Sequence, residues 1–171
     1  MKPGSQALRK GRVSVAGQVY LVTFTTDRRR HLFHSWEVAS DAARLMTSAM
    51  ARQDDRLLAW VVMPDHWHGL IELAGGTTLS TCIRCLKGGS AHALRRQHSA
   101  LGQIWAPGYH DHAIRGDEDL LESARYLVMN PVRAGLVTRV GDYPFWDAIW
   151  LSGRVPRECP VFVGAASAAS S

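Results

Sequence analysis

The stretch VVMPDHWHGLIEL (61–73) constrains the fold most, because it has the pattern of two buried strands joined by a tight turn. The run RLLAWVV (56–62) and the run HWHGLIEL (66–73) are rich in the branched and aromatic residues that strands favour. Pro64 and Asp65 stand between them and are typical turn residues. The stretch therefore predicts a buried β-hairpin, and its second strand carries two histidines one residue apart.

The rest of the chain supplies the other elements. QVYLVTFTT alternates in the manner of a strand, and apolar residues recur at helical spacing in three later segments. In chain order the pattern predicts a strand at 18–26, a helix at 35–52, strands at 56–62 and 66–73, a helix at 79–96, a short strand within 103–115 and a helix at 117–130. The pair Gly88 and Gly89 could weaken the second helix, and Pro131 would end or bend the third.

The order of these elements predicts the fold class. Strand, helix, strand, strand, helix, strand is the split βαβ pattern, so we expect an α+β protein with a ferredoxin-like βαββαβ antiparallel sheet and its helices on one face. The helix at 117–130 is additional to that pattern. A length of 171 residues is typical of one domain. We expect that domain at 13–155, a flexible basic arm at 1–12 and a disordered tail at 156–171.

The charge of the chain favours a nucleic-acid partner. The formal net charge is +5, and all but three of the 20 lysines and arginines are arginines, whose planar fork suits phosphate oxygens. A GC-rich genome would produce the same bias. No run of about 18 apolar residues is present, so the sequence predicts no membrane span. The first residues lack an apolar signal-peptide core, so a cytoplasmic location is expected.

Two pairs of histidines could hold a metal ion. Alternate residues of a strand face the same way, so His66 and His68 share one face with Glu72. Adjacent imidazoles can chelate a divalent ion, although two protein ligands are too few for a tight structural site. The alternative is ordinary strand histidines with hydrogen-bond partners. His110 and His112 have the same spacing, and periodicity does not choose between the pairs. Glu72 has no assigned role.

The last helix places a phenol beside an amide. Tyr126 and Asn130 are four residues apart, so both side chains can reach one spot. Tyr126 also faces away from the apolar side of its own helix. A phenol and an amide oxygen suit a nucleophile next to a metal ligand. The alternative is an amphipathic tyrosine on a second packing surface.

Three segments together resemble the REP-associated tyrosine transposases of the HUH single-strand transposase group. They are LLAWVVMPDHWHGLIEL, IWAPGYHDHAIR and ARYLVMNPVRAGLV, and the resemblance covers about residues 18 to 150. It implies a metal-dependent endonuclease and strand transferase that acts on palindromic, REP-like hairpins in single-stranded DNA through a 5′-phosphotyrosine intermediate. One alternative is a non-catalytic hairpin DNA-binding protein derived from such a transposase. Another is an unrelated metal-dependent hydrolase.

The same resemblance implies roles for individual residues. Tyr126 would be the catalytic tyrosine, and His66, His68 and Asn130 would ligate Mg²⁺ or Mn²⁺, with Trp67 turned to the core. The protein would act as a monomer or a homodimer. Arginine-rich segments would hold the DNA backbone, and the second histidine pair would lie near the DNA or support the sheet. The residues expected at the DNA are Arg28, Arg29, Arg30, Arg95, Arg96, His110, His112 and Arg133.

Overall fold

The computed structural model describes residues 15–151 and contains every strand and helix that the sequence predicts. The strands are β1 (Val19–Thr25), β2 (Arg56–Met63), β3 (His66–Glu72), β4 (His110–Ala113) and β5 (Trp146–Ala148). The helices are α1 (Trp36–Ala51), α2 (Leu79–Gln97), α3 (Asp117–Val128) and the single turn α4 (Asn130–Arg133). The arm at 1–12 and the tail at 156–171 lie outside the described residues, so the predicted domain bounds stay a prediction.

The five strands form one antiparallel sheet in the order β4-β1-β3-β2-β5. Its first four strands, with α1 and α2 as crossovers, have the ferredoxin-like arrangement, which confirms the predicted fold class. β5 was not expected, because the strands and helices predicted from the sequence end with the helix at 117–130. Three residues are too few to show strand alternation. They form a strand because the edge of β2 offers free backbone groups with which to pair.

One face of the sheet is closed by α1 and α2. On this face the Phe24 and Trp67 rings stack with their centroids 4.9 Å apart, and Lys87 of α2 lies 5.3 Å from the Phe24 centroid. The Trp67 indole lies across Gly69, where an added Cβ would come within 2.0 Å of the ring. Trp67 is fully buried. The middle residue of the H-x-H pair therefore faces the core, as the resemblance implies.

The opposite face carries the histidines, and α3 packs on it. β-Strand register aligns Leu21 with Leu70 on one side and with His112 on the other. Leu21 and His112 line one cavity together with Tyr126 of α3. Ala124 of α3 is buried. The additional helix thus covers part of the sheet face that the ferredoxin-like pattern alone would leave open.

Two helices differ in detail from the prediction. α2 runs unbroken through Gly88 and Gly89, because its apolar side is held against α1, where the Cys82 and Met50 sulfurs are 4.0 Å apart. α3 ends at Val128, about two residues early, as expected for a helix that approaches a proline. No helix within residues 15–151 is both long and apolar enough to cross a membrane.

Candidate active site

His66 and His68 lie side by side at the start of β3, with ring centroids 4.6 Å apart. The Nδ1 atom of His66 is 2.5 Å from Oδ1 of Asp65, and that of His68 is 2.7 Å from the Thr23 hydroxyl. With the proton on Nδ1 in each ring, the imidazoles donate to these oxygens and keep the Nε2 lone pair free. Both rings are therefore held in an orientation that suits a metal ligand.

Asp65 connects His66 to the arginine run. Its second carboxylate oxygen accepts from Arg29 Nη1 at 3.0 Å, and its carbonyl oxygen accepts from the Thr26 hydroxyl at 3.0 Å. Burial raises the pKa of Asp65, but its hydrogen bonds and charge interactions with His66 and Arg29 outweigh burial and lower that pKa below its usual value. The group that accepts from His66 is therefore an ionised carboxylate.

His68 is kept neutral by its surroundings. Burial lowers the pKa of its imidazole to about 3, and the charge interaction with His66 acts in the same direction. A metal ligand has to be the neutral imidazole. His68 is thus in the form that binds a metal across the physiological pH range.

Tyr126 lies at the junction of α3 and α4. Its side chain is 50% exposed, and the guanidinium carbon of Arg133 lies 3.9 Å from the centroid of its ring. The charge of Arg133 also contributes to the lowered pKa of His68. Arg133 therefore links Tyr126 electrostatically to the histidine face of the sheet, on which α3 packs.

Asn130 is not in the same helix as Tyr126, contrary to the prediction. α3 ends at Val128, and Asn130 begins α4. Met129 between them keeps near-helical dihedral angles (φ −81, ψ −4), so the spacing of about one turn is preserved. The Asn130 side chain donates from Nδ2 to the Leu127 carbonyl oxygen at 3.0 Å. This bond uses the amide nitrogen and does not involve the amide oxygen, which is the atom that a divalent ion would bind.

The expected metal ligands include an amide. Within residues 15–151 no three His, Cys, Asp or Glu side chains form a group that could hold a metal, so a metal site at His66 and His68 would need a donor of another type. Two imidazole nitrogens and one amide oxygen form a mixed set that can accommodate Mn²⁺ or Mg²⁺.

The second histidine pair shares the sheet face of the first. β1 lies between them, and its Thr23 is aligned with His68 on one side and with His110 on the other. His110 and His112 are both exposed on the edge strand β4. The structure therefore brings the two pairs to one face without joining them in one cluster. A DNA contact at His110 and His112 stays a prediction.

The three arginines after β1 have different surroundings. Arg29 pairs with Asp65. Arg30 donates from Nη2 to the carbonyl oxygens of Leu101 and Gln103, so it holds two loops together. The Arg28 side chain is 88% exposed. Arg28 is therefore the one of the three that can reach a phosphate without giving up a strong contact.

Arg95 and Arg96 lie in a different place from the other candidate DNA-binding residues. They are exposed in the last turn of α2, in the helical layer across the sheet from the histidines. Their contact with DNA stays a prediction. Glu72 does receive a role, since its carboxylate accepts from Arg56 Nη1 at 2.7 Å across the β2–β3 ladder. It acts there as a structural residue on the histidine face.

Thr23 and Asp65, which orient the two histidines, do not stand out in the sequence. Asp65 has the pattern of a turn residue, and only its position next to His66 could have indicated the contact. Thr23 is one of several threonines at the end of β1, and the register that aligns it with His68 cannot be read from local periodicity.

A comparison with known families shows the family of the chain. A family model described as "Transposase IS200 like" matches residues 14–128. The match includes the histidine strand and Tyr126, and it covers well over half of the chain. The chain belongs to the IS200-like transposase family.

Individual relatives are consistent with that assignment. A REP-associated tyrosine transposase of Escherichia coli (strain K12) is 38% identical over 88 residues, which cover 51% of this chain and 50% of that protein. The chain spans about half the length of the curated relatives that it matches. These findings confirm the resemblance to REP-associated tyrosine transposases.

Solved structures show the same fold. A REP-associated tyrosine transposase bound to a REP hairpin superposes with a TM-score of 0.64 at 29% identity and covers 79% of each chain. A structure from Deinococcus radiodurans R1 has a TM-score of 0.54 at 22% identity, and covers 69% of this chain and 94% of its own. The second likeness is one of fold alone.

Proposed function

We propose that this protein is a metal-dependent single-stranded DNA endonuclease and strand transferase that acts on REP-like hairpins through a 5′-phosphotyrosine intermediate. The observation that carries the proposal is one sheet face that holds two oriented imidazoles, His66 and His68, and is covered by α3, the helix whose Tyr126 is half-exposed and in contact with Arg133. Hairpin binding alone requires none of these. The relative that was solved with a REP hairpin supports the choice of substrate.

His66, His68 and the amide oxygen of Asn130 would hold Mg²⁺ or Mn²⁺. The ion, when bound, supplies charge that polarises the scissile phosphate and stabilises its oxygens. Asp65 and Thr23 hold the two imidazoles in place in the absence of the ion. The imidazoles would therefore lose little conformational freedom when the ion binds.

Tyr126 is the nucleophile in this proposal. Its phenolic oxygen forms a bond to phosphorus as the bond from phosphorus to the 3′ oxygen breaks, which leaves a 5′-phosphotyrosine and a free 3′-hydroxyl. A 3′-hydroxyl of the same or another strand then attacks the phosphotyrosine and displaces the tyrosine. Each step exchanges one phosphoester for another, so no nucleotide energy source is needed. Arg133 contacts the Tyr126 ring and orients the phenol.

An adduct assay tests the proposal. A labelled single-stranded REP-like hairpin mixed with the protein and Mn²⁺ should yield a product that stays attached to protein in SDS. Tyr126→Phe should abolish the adduct and retain hairpin binding. Tyr20→Phe is the matched control, since Tyr20 is buried in β1 on the face turned away from the histidines, and it should form the adduct normally.

Two other outcomes would favour the alternatives. Absence of an adduct on every hairpin tested, with equal hairpin affinity in the presence and absence of metal, would indicate a non-catalytic hairpin-binding protein. Metal-dependent turnover of a small phosphoester that Tyr126→Phe leaves unchanged would indicate an unrelated hydrolase.

The position of α3 favours a tyrosine that acts within its own protomer. α3 packs on the sheet face of the same chain that carries His66 and His68, which supports a tyrosine supplied by the same chain. A mixture of His66→Ala and Tyr126→Phe proteins should then form no adduct. Restored adduct in that mixture would show a dimer that exchanges its tyrosines.

A further inference from the structure

Trp36, the first residue of α1, exposes an indole ring that is fixed from one side. At 60% exposure it is the most exposed large apolar side chain among the residues that the structure describes. Its ring packs against buried Phe145, with the centroids 5.0 Å apart. Phe145 meets Tyr143 edge to face, and the Tyr143 hydroxyl donates to the Val62 carbonyl oxygen near the end of β2 at 2.7 Å. A chain of buried rings therefore supports the indole, and most of its surface stays in water.

Trp36 lies at the same end of the sheet as the histidine pair. Phe33, three residues before it, donates its backbone N–H to the Pro64 carbonyl oxygen at 3.1 Å. Pro64 belongs to the turn between β2 and β3, and β3 begins with His66. The start of α1 is thus held against the turn that leads into the proposed metal site.

The chain that leads to the indole is rich in positive groups. Residues 28–34, RRRHLFH, contain three arginines and two histidines and no acidic residue. Arg28, His31 and His34 are exposed. Two carboxylates flank the run, those of Asp27, which lies 4.0 Å from Arg28, and Glu37. The surface beside the indole therefore suits an anionic partner that also presents a flat apolar ring.

The surroundings of the indole distinguish between possible partners. A helix of another protein would require a stripe of apolar side chains, but the residues next to Trp36 in the chain are His34, Ser35 and Glu37. The bases of a duplex are stacked on one another and cannot reach a side chain outside the grooves. An unpaired base of a single strand presents a free ring face beside its phosphate, and such bases stack on aromatic side chains whatever their sequence.

We propose that Trp36 stacks on an unpaired base of single-stranded DNA, and that the cationic run 28–34 faces the phosphates of the same strand. Because every base has such a ring face, Trp36 would distinguish single-stranded from paired DNA without reading a sequence. The course of that strand towards the histidines rests on the proposed function. The stacking of an unpaired base on Trp36 does not.

Binding of two labelled DNAs to the full chain in EDTA, which prevents metal-dependent cleavage, tests this proposal. One is a dT oligomer of about 12 nucleotides, within the usual size of single-strand sites, and the other is a blunt hairpin without an unpaired flank. Trp36→Leu, which keeps an apolar contact with Phe145, should weaken oligomer binding about fivefold or more and leave hairpin binding unchanged. Trp36→Phe should retain most of the oligomer affinity, since it keeps an aromatic ring.

Trp150→Leu is the matched control. Trp150 is 40% exposed and follows β5, which runs away from the histidine end as it passes from Trp146 opposite Val61 to Ala148 opposite Ala59. Its replacement should leave the affinity for both DNAs unchanged. An equal loss in Trp150→Leu and Trp36→Leu would show a general effect of removing an exposed indole and would overturn the proposal.

Three further results would also overturn it. They are an oligomer affinity that Trp36→Leu leaves unchanged, an equal loss for oligomer and hairpin, and a gain in oligomer affinity, which would show that another occupant covers the indole. If the wild type forms a covalent adduct with a hairpin and Trp36→Leu binds the oligomer normally, the proposed function stands without the stacking. A selective loss of oligomer binding in Trp36→Leu, with no adduct on any hairpin, would support the stacking and refute the proposed function.

Discussion

The guanidinium carbon of Arg133 lies 3.9 Å from the centroid of the Tyr126 ring and joins α4 to α3 at the proposed nucleophile. Half of the Tyr126 side chain is exposed, so few neighbours restrict its rotation. The contact with the Arg133 guanidinium is therefore a main restraint on the position of the Tyr126 phenolic oxygen.

Replacing Arg133 should slow adduct formation. Arg133→Gln removes the cation, and a rate loss of about five- to tenfold is expected because such a contact contributes on the order of 1 kcal/mol. Arg133→Lys should retain more of the rate, since it keeps the charge. Single-turnover gel kinetics measure both. Arg139→Gln is the control, because Arg139 is exposed and paired with Asp142. Equal rates for wild type and Arg133→Gln would contradict this role.

Replacing Asp65 should weaken metal binding in the absence of DNA. Asp65→Asn removes the negative charge that accepts from His66, and loss of such a partner costs about 10- to 100-fold in metal affinity. Titration of Mn²⁺ followed by electron paramagnetic resonance measures the free ion directly. Arg29→Gln removes only the other partner of Asp65 and should have a smaller effect. An unchanged Mn²⁺ affinity in Asp65→Asn would show that the contact does not position His66.

His68 should make the fold less stable as the pH falls. Its pKa in the folded chain is about 3 against an ordinary value of 6.5. Between these values the unfolded chain binds a proton there and the folded chain does not, so stability is present above pH 6.5 and is lost as the pH falls. The slope approaches about 1.4 kcal/mol per pH unit for one proton. When urea unfolding is measured between about pH 6 and pH 4, the free energy of unfolding should change less with pH in His68→Gln than in the wild type. An equal dependence on pH in the two proteins would contradict the lowered pKa of His68.

Two glycine substitutions should have opposite effects on stability. An alanine Cβ at Gly69 would come within 2.0 Å of the buried Trp67 ring, so Gly69→Ala should destabilise by about 3 kcal/mol or more. Gly88 lies inside α2 with nothing within 4 Å of its added Cβ. Gly88→Ala should therefore be neutral or stabilise by up to about 1 kcal/mol. Thermal unfolding measures the stability of both variants. Equal melting temperatures for Gly69→Ala and the wild type would show that Trp67 can move aside at little cost in free energy.

Local sequence patterns by themselves determined the strands and helices of the ferredoxin-like sheet. Alternation in β1 and β3 depends only on residues two apart, and it also placed His66 and His68 on one face. Helical spacing likewise brought Tyr126 and Asn130 within one turn of each other. These features depend on near neighbours in the chain, which is why they could be read before any tertiary structure was known.

Contacts between distant segments decided the rest. β5 forms only because the edge of β2 is open to it. The register of β1 on β3 brings Thr23 to His68, and the packing of α3 on the sheet creates the cavity beside Tyr126. No periodic pattern encodes these contacts, since each depends on how surfaces far apart in the chain fit together and exclude water.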